Sequence, residues 1–231
     1  LLRAIAGLAP VVDGEITGFA VAIGHIAEVG GMAPGGFCGE ATEIFQEGLR
    51  IPPVKIKKRG DDNIEVWKLL LANVRTPRVN YGDLRALIAA VDLGEKQMTQ
   101  IYKKYGKEKI KETVNDLLLY SERRMRAELE AIPDGIYAFS DKIESDGIDA
   151  DRTYTVAVEV HKRGGEIIVD YHGSSPQASG PINATLGVAT SAAYNAVLHM
   201  TDPTIPRNSG CFRPIRVMAP PGTIVNVDFP A

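Results

Sequence analysis

Tyr154-Thr155-Val156-Ala157-Val158-Glu159-Val160, the pair Gly164-Gly165, and Ile167-Ile168-Val169-Asp170-Tyr171-His172 form the stretch on which the fold turns. Tyr154, Val156, Val158 and Val160 alternate with polar or small residues. After the two glycines, Ile167, Val169 and Tyr171 alternate again. Side chains two apart on a strand share a face, so this pattern predicts a β-hairpin. Ile168, Asp170 and His172 then share the opposite face of its second strand.

Upstream the period is helical. Asp62 is placed to cap a helix running to about Val74, with Ile64, Trp67, Leu70 and Leu71 at helical spacing. Asp83 is placed to cap a second, carrying Leu84, Leu87, Ile88 and Val91. A third starts near Lys107, with a stripe of Ile110, Val114, Leu117, Leu118, Met125 and Leu129 and a charged outer face. Pro133-Asp134-Gly135 closes this section by turn chemistry. Downstream, an Ala- and Leu-rich helix is expected over about 184–200, with short strands near 214–218 and 223–228. The fold class that follows is α+β, a mixed α/β arrangement. It has central strands, a helical section at about 62–130 and a β-hairpin region after 150. We treat residues 1–231 as one catalytic region with a possible sub-division into 1–135 and 136–231.

The bulk numbers remove several function classes. A chain of 231 residues can bury a sizeable core, and 45% hydrophobic with 24% charged residues is ordinary for a globular protein. The net charge of −3 argues against a nucleic-acid or anionic-membrane surface. No apolar run reaches the roughly 20 residues that span a bilayer. Cys38 and Cys211 form no disulfide framework and read as buried thiols in a cytoplasmic protein. Both chain ends look cut from something longer.

Residues 16–24 form a near-continuous apolar run, expected as a buried strand. It delivers His25 and Glu28 into the loop Gly30-Gly31-Met32-Ala33-Pro34-Gly35-Gly36. A histidine at a strand end followed by a carboxylate suits general acid–base work or metal ligation, and the glycine loop offers backbone N–H groups to a substrate. The loop also has a plain structural reading as a tight turn needing positive φ. It lacks the Lys-Ser/Thr ending of a phosphate-binding P-loop. Asp170 and His172 put an acid and an imidazole on one strand face beside a Ser-rich turn, but no Gly-x-Ser-x-Gly elbow is present. The irregular loop around Asn208 is a further candidate for substrate contact.

The chain resembles the hydantoinase B/oxoprolinase family. The likeness is carried by Phe45-Gln46-Glu47-Gly48-Leu49-Arg50-Ile51-Pro52-Pro53, Asn73-Val74-Arg75, Tyr81-Gly82-Asp83-Leu84-Arg85, Ser121-Glu122-Arg123-Arg124-Met125-Arg126 and Ile132-Pro133-Asp134-Gly135. It continues through Val169-Asp170-Tyr171-His172-Gly173-Ser174-Ser175-Pro176-Gln177, Gly180-Pro181-Ile182-Asn183 and Asn208-Ser209-Gly210-Cys211-Phe212-Arg213. The resemblance implies a subunit of a hetero-oligomer in which ATP is held by a hydantoinase A-like subunit. The complex would open a small cyclic amide activated by phosphorylation. An ATP-dependent ketone carboxylase subunit and a non-catalytic assembly subunit are the alternatives. Catalytic roles would fall on His25, Glu28, Asp170 and His172, lining one cleft, and substrate contacts on Gly30, Gly31, Gly35, Gly36 and Asn208.

The resemblance also implies a divalent metal (Mn, Zn or Fe), held by a His-x-x-Asp pair and a later histidine. His25 matches the later histidine. The pair would fall on Leu1 and Ala4, which cannot ligate a metal, so either the pair lies outside this chain or this member has lost the site; Glu28 stands where many members have Asp.

Overall fold

A computed structural model describes residues 3–8, 11–12 and 14–231. The chain forms two compact units, Leu1–Ile110 and Lys111–Ala231. Its helices and mixed sheets make it α+β.

In the first unit β1 (Arg3–Leu8) pairs antiparallel with β4 (Ala20–His25), matching Arg3 with His25 and Leu8 with Ala20. Between them, β2 (Val11–Val12) and β3 (Glu15–Ile16) make a two-residue ladder. The short helix α1 (Ile44–Glu47) ends at Gly48, before Pro52 and Pro53 can stop it. Hairpin strands β5 (Lys57–Lys58) and β6 (Asp61–Asp62) lead into α2 (Ile64–Ala72) and the 29-residue α3 (Pro77–Tyr105).

Three expectations change here. β4 is not buried through its length. Its even-numbered residues face α3, where Gly94 leaves room for Ala20 and Gly24 lies against Leu87, while Val21 and Ile23 stay 64% and 58% exposed. A single layer of helix covers one face of a strand, so an apolar run alone does not establish burial on both. Asp62 does not cap α2. It lies in β6 and bonds Arg85 through both carboxylate oxygens at 2.8 and 2.9 Å, and Asn63 takes the cap position. Asp83 caps nothing, because α3 already starts at Pro77, whose missing N–H and fixed φ suit a first helical turn.

The second unit is a sheet against helices. β7 (Gly135–Ile143), β8 (Tyr154–Arg163) and β9 (Glu166–Asp170) run antiparallel, and β10 (Ile215–Met218) joins β9 in parallel, giving the order β10-β9-β8-β7. The β8–β9 hairpin turns at Gly164-Gly165, as its alternation predicts. A parallel neighbour needs a long crossover, and α5 (Leu186–Met200) supplies it between β9 and β10. The segment 223–228 is not a strand, only turns with isolated bridges at Thr223.

The third expected helix is α4 (Lys107–Glu130). Its Met125 and Leu129 are fully buried against Ile167, Val197, Ile205, Cys211 and Ile215. Val114 and Leu117, from the same predicted stripe, remain 49% and 46% exposed. A second cluster gathers Tyr154, Ala178, Ala189, Ile224 and Val225. Buried Asp146 stitches it together, accepting from the N–H groups of Ile148, Asp149, Ser179 and Gly180 and from the Tyr154 hydroxyl at 2.6 Å. Among the described residues, no helix is long and apolar enough to cross a membrane.

Candidate functional site

His25 ends β4 on its exposed side, in line with Val21 and Ile23. The chain then turns inward, and Glu28 is only 3% exposed. One carboxylate oxygen accepts from the Gly30 N–H at 2.7 Å and from the Arg75 guanidinium at 2.7 Å. The other accepts from the Arg75 backbone N–H at 2.6 Å. Arg75 reaches on to the Gly31 carbonyl at 2.8 Å, and the Asn80 amide donates to the Glu28 carbonyl. Burial pushes the Glu28 carboxyl up, but the bonds from Arg75 and Gly30 outweigh it and hold the group below its ordinary value. Glu28 is thus a carboxylate that pins the glycine loop to the entry of α3.

Backbone contacts hold the other side of the loop. Met32 N–H donates to the Gln46 carbonyl at 2.7 Å, and Leu49 N–H to the Val29 carbonyl at 2.8 Å. Gly31 has φ +85°, and a Cβ there would stand 2.6 Å from the Gln46 oxygen. The first two glycines therefore have a packing reason to be glycine. The tip differs, since a Cβ at Gly35 would meet nothing within 4 Å. Sequence reasoning did not assign site roles to Arg75 or Asn80. The available signal was a buried-looking carboxylate with no charge partner within its own loop.

The metal set implied by resemblance does not fit these residues. Among the described residues no group of three or more His, Cys, Asp or Glu is placed to hold an ion. Leu1 lies outside the described residues, and Glu28 already spends both oxygens on Arg75 and Gly30.

Asp170, His172 and Asn208 belong to the second unit. Asp170 accepts the His172 backbone N–H at 3.0 Å and also pairs with His172 Nδ1. On the neighbouring strand His161 Nε2 lies 2.6 Å from Glu159, a second carboxylate–imidazole pair that the sequence reading did not single out. Its signal was present in the alternation, because Glu159 and His161 occupy the polar face of β8. A cleft of about 540 Å³ opens there, lined by Ala138, Ser140, Ala157, Glu159, Asp170 and His172 among others.

Asn208 is fully engaged in structure. Its amide donates to Ser121 Oγ at 2.8 Å, and its carbonyl accepts from the Gly210 N–H at 2.9 Å, capping the short α6 (Ser209–Phe212). The nearby Arg213 bonds Glu122 at 2.9 Å, and Arg124 pairs with Asp202. The two Arg-rich motifs therefore dock the loop 202–213 onto α4.

The class that these elements define is an α+β fold. The chain belongs to the hydantoinase B/oxoprolinase family, whose model matches residues 2–231. It is 32% identical to the caprolactamase beta subunit of Pseudomonas jessenii, over 94% of this chain and 37% of that protein. It is 35% identical, over 94% of this chain and 38% of the relative, to a Pseudomonas protein whose assigned name is that of a D-/L-hydantoinase B-type subunit. Among solved structures, the ATP-dependent caprolactamase of P. jessenii superposes with a TM-score of 0.91 at 32% identity, covering 100% of this chain and 40% of that one. A nucleotide-free acetone carboxylase structure matches with a TM-score of 0.89 at 20% identity, over 97% of this chain and 31% of that one, a likeness of fold alone. The chain spans about two fifths of the length of the curated relatives named here.

Proposed function

We propose that this chain is part of a subunit of an ATP-dependent cyclic amide hydrolase, acting with a hydantoinase A-like subunit that holds the ATP. The observation that carries this reading is the identity of 32% along nearly the whole chain to a subunit of caprolactamase, whose solved structure is described as ATP-dependent. The P-loop missing from this sequence agrees with nucleotide binding on the partner. An amide is a poor electrophile, and phosphorylation of its oxygen makes the carbon open to water. In this division of labour the partner spends ATP on activation, and the present subunit completes ring opening.

In the first unit His25 is the proposed base, standing exposed at the strand end. Glu28 is a positioning residue, because Arg75 and Gly30 occupy its oxygens. The tip glycines Gly35 and Gly36 give the substrate backbone to approach.

The test is hydrolysis of hydantoin, 5-oxoproline and caprolactam by the assembled complex, with and without ATP. ATP-dependent opening of at least one is expected, with a loss of about 100-fold in His25→Ala if His25 handles a proton. Unchanged turnover in His25→Ala would mark an assembly role for this region. A strict bicarbonate requirement for ATP turnover would replace hydrolysis by carboxylation.

A further inference from the structure

In the first unit, the hairpin before α2 carries cations that its own folding does not use. β5 and β6 set Lys57 across from Asp62 and Lys58 across from Asp61, and Arg59-Gly60 joins them. Both joining residues lie in the left-handed region, Arg59 at φ +53° and Gly60 at φ +92°. Two-residue hairpins favour this geometry, with Asn, Asp or Gly at the first position. An arginine there strains its Cβ against the following carbonyl, and turn chemistry gives no reason for one.

The base of the hairpin is held firmly. Asn63 donates its backbone N–H to the Ile56 carbonyl at 2.9 Å and its side-chain amide to the Lys55 carbonyl at 3.0 Å. Lys57 pairs with Asp92 of α3 at 3.0 Å, and Asp62 pairs with Arg85 of α3 at 2.8 Å. These two pairs fasten the hairpin to α3 and neutralise the charges that take part. The tip is different. Lys55, Lys58 and Arg59 are exposed, and among the described residues their side chains hold no ion pair or hydrogen bond. Residues 55–62 carry four cations against two acids, an excess of +2 in a chain whose net charge is −3. Neighbouring like charges repel, so these cations do not stabilise the hairpin, and a bound anion would offset them. A guanidinium with all its N–H groups free matches the oxygens of a phosphate, and the anchored hairpin holds it in a fixed place.

We infer that this hairpin tip is a phosphate-binding element that acts in trans. Arg59, supported by Lys58, binds the phosphate chain of the ATP held by the partner subunit. The choice of ligand rests on the ATP-dependent reading above. As the terminal phosphoryl group moves, its P–O bond to ADP breaks and a P–O bond to the amide oxygen forms. ADP leaves with the electron pair of the broken bond. Negative charge shifts among the phosphate oxygens during this step, and a guanidinium brought by a second chain stabilises it there. Arg59 gives and takes no proton, because a guanidinium stays charged. On this chain alone the tip is open to water and screened by salt, so it completes a nucleotide site rather than forming one.

The experiment measures ATP turnover by the complex assembled with the hydantoinase A-like subunit, for the parent, Arg59→Gly and Arg59→Lys. Glycine suits a left-handed residue better than arginine, so Arg59→Gly should melt no lower than the parent. It should also co-elute with the partner as the parent does. Its kcat for ATP should fall at least about tenfold and recover in part with added guanidinium, with Arg59→Lys in between. Turnover equal to the parent's overturns the inference, and so does a fall that guanidinium leaves untouched. Lost co-elution would make the tip a docking contact and overturn the phosphate role. The two readings separate at the parent. A parent complex that turns over no ATP fails the ATP-dependent reading, and the inference falls with it. An active parent matched by an equally active Arg59→Gly fails the tip alone.

Discussion

Glu28 shows how a residue's type can point to one role and its surroundings to another. His-x-x-Glu before a glycine loop suggests acid–base chemistry, yet the carboxylate is buried and receives three N–H bonds from Gly30 and Arg75. Glu28→Gln should lower stability by roughly 2 kcal/mol, the scale of losing hydrogen bonds to a buried charge, as read from a urea melt. An unchanged urea midpoint would count against the pinning role. The pH dependence has a defined sign. Because folding lowers the Glu28 pKa, its contribution is complete above the ordinary value of about 4.5 and is lost as pH falls through the folded value. Asp146 behaves alike in the second unit. The Asp149 N–H and Tyr154 hydroxyl hold it well below the carboxylate range, so Asp146→Asn should flatten the acid limb of the melting curve.

At the scale of elements, the docking of loop 202–213 onto α4 rests on Gly210. A Cβ there would collide with the Leu118 carbonyl oxygen, and that oxygen belongs to a helix backbone that cannot yield like a side chain. Gly210→Ala should therefore cost about 1–3 kcal/mol or more by overpacking. Thermal unfolding reads it, and a melting temperature equal to the parent's would remove the close-approach argument. The alternation in 154–171 was legible because a strand's period is two and its polar face meets water. The caps were less legible. Asp62 and Asp83 both have the residue type of a cap, but Pro77 begins α3 six residues before Asp83, and Arg85 draws Asp62 into an ion pair. β7 escaped the reading altogether. Its residues Ile136, Tyr137 and Phe139 are 65%, 47% and 70% exposed, so no burial alternation was written into the sequence.

For the whole molecule, the family follows from matches spread along nearly all 231 residues, and the ATP chemistry is expected from a partner. Equilibrium dialysis of the chain alone against ATP should show no saturable binding, with ATP turnover appearing when the hydantoinase A-like subunit is added. Saturable ATP binding to this chain alone would reverse the proposed division of labour.

The sequence by itself determined the α+β class, the hairpin, the three upstream helices and the family, because periodicity and motif order are local properties of a chain. Only the tertiary structure decided what the polar residues do. It turned Glu28 inward onto Arg75, 47 residues away, and drew Asn208 to Ser121, 87 residues away. It also set Glu159 across from Asp170. Those partners are chosen by strand register and helix packing, and neither is visible in the spacing of any single motif.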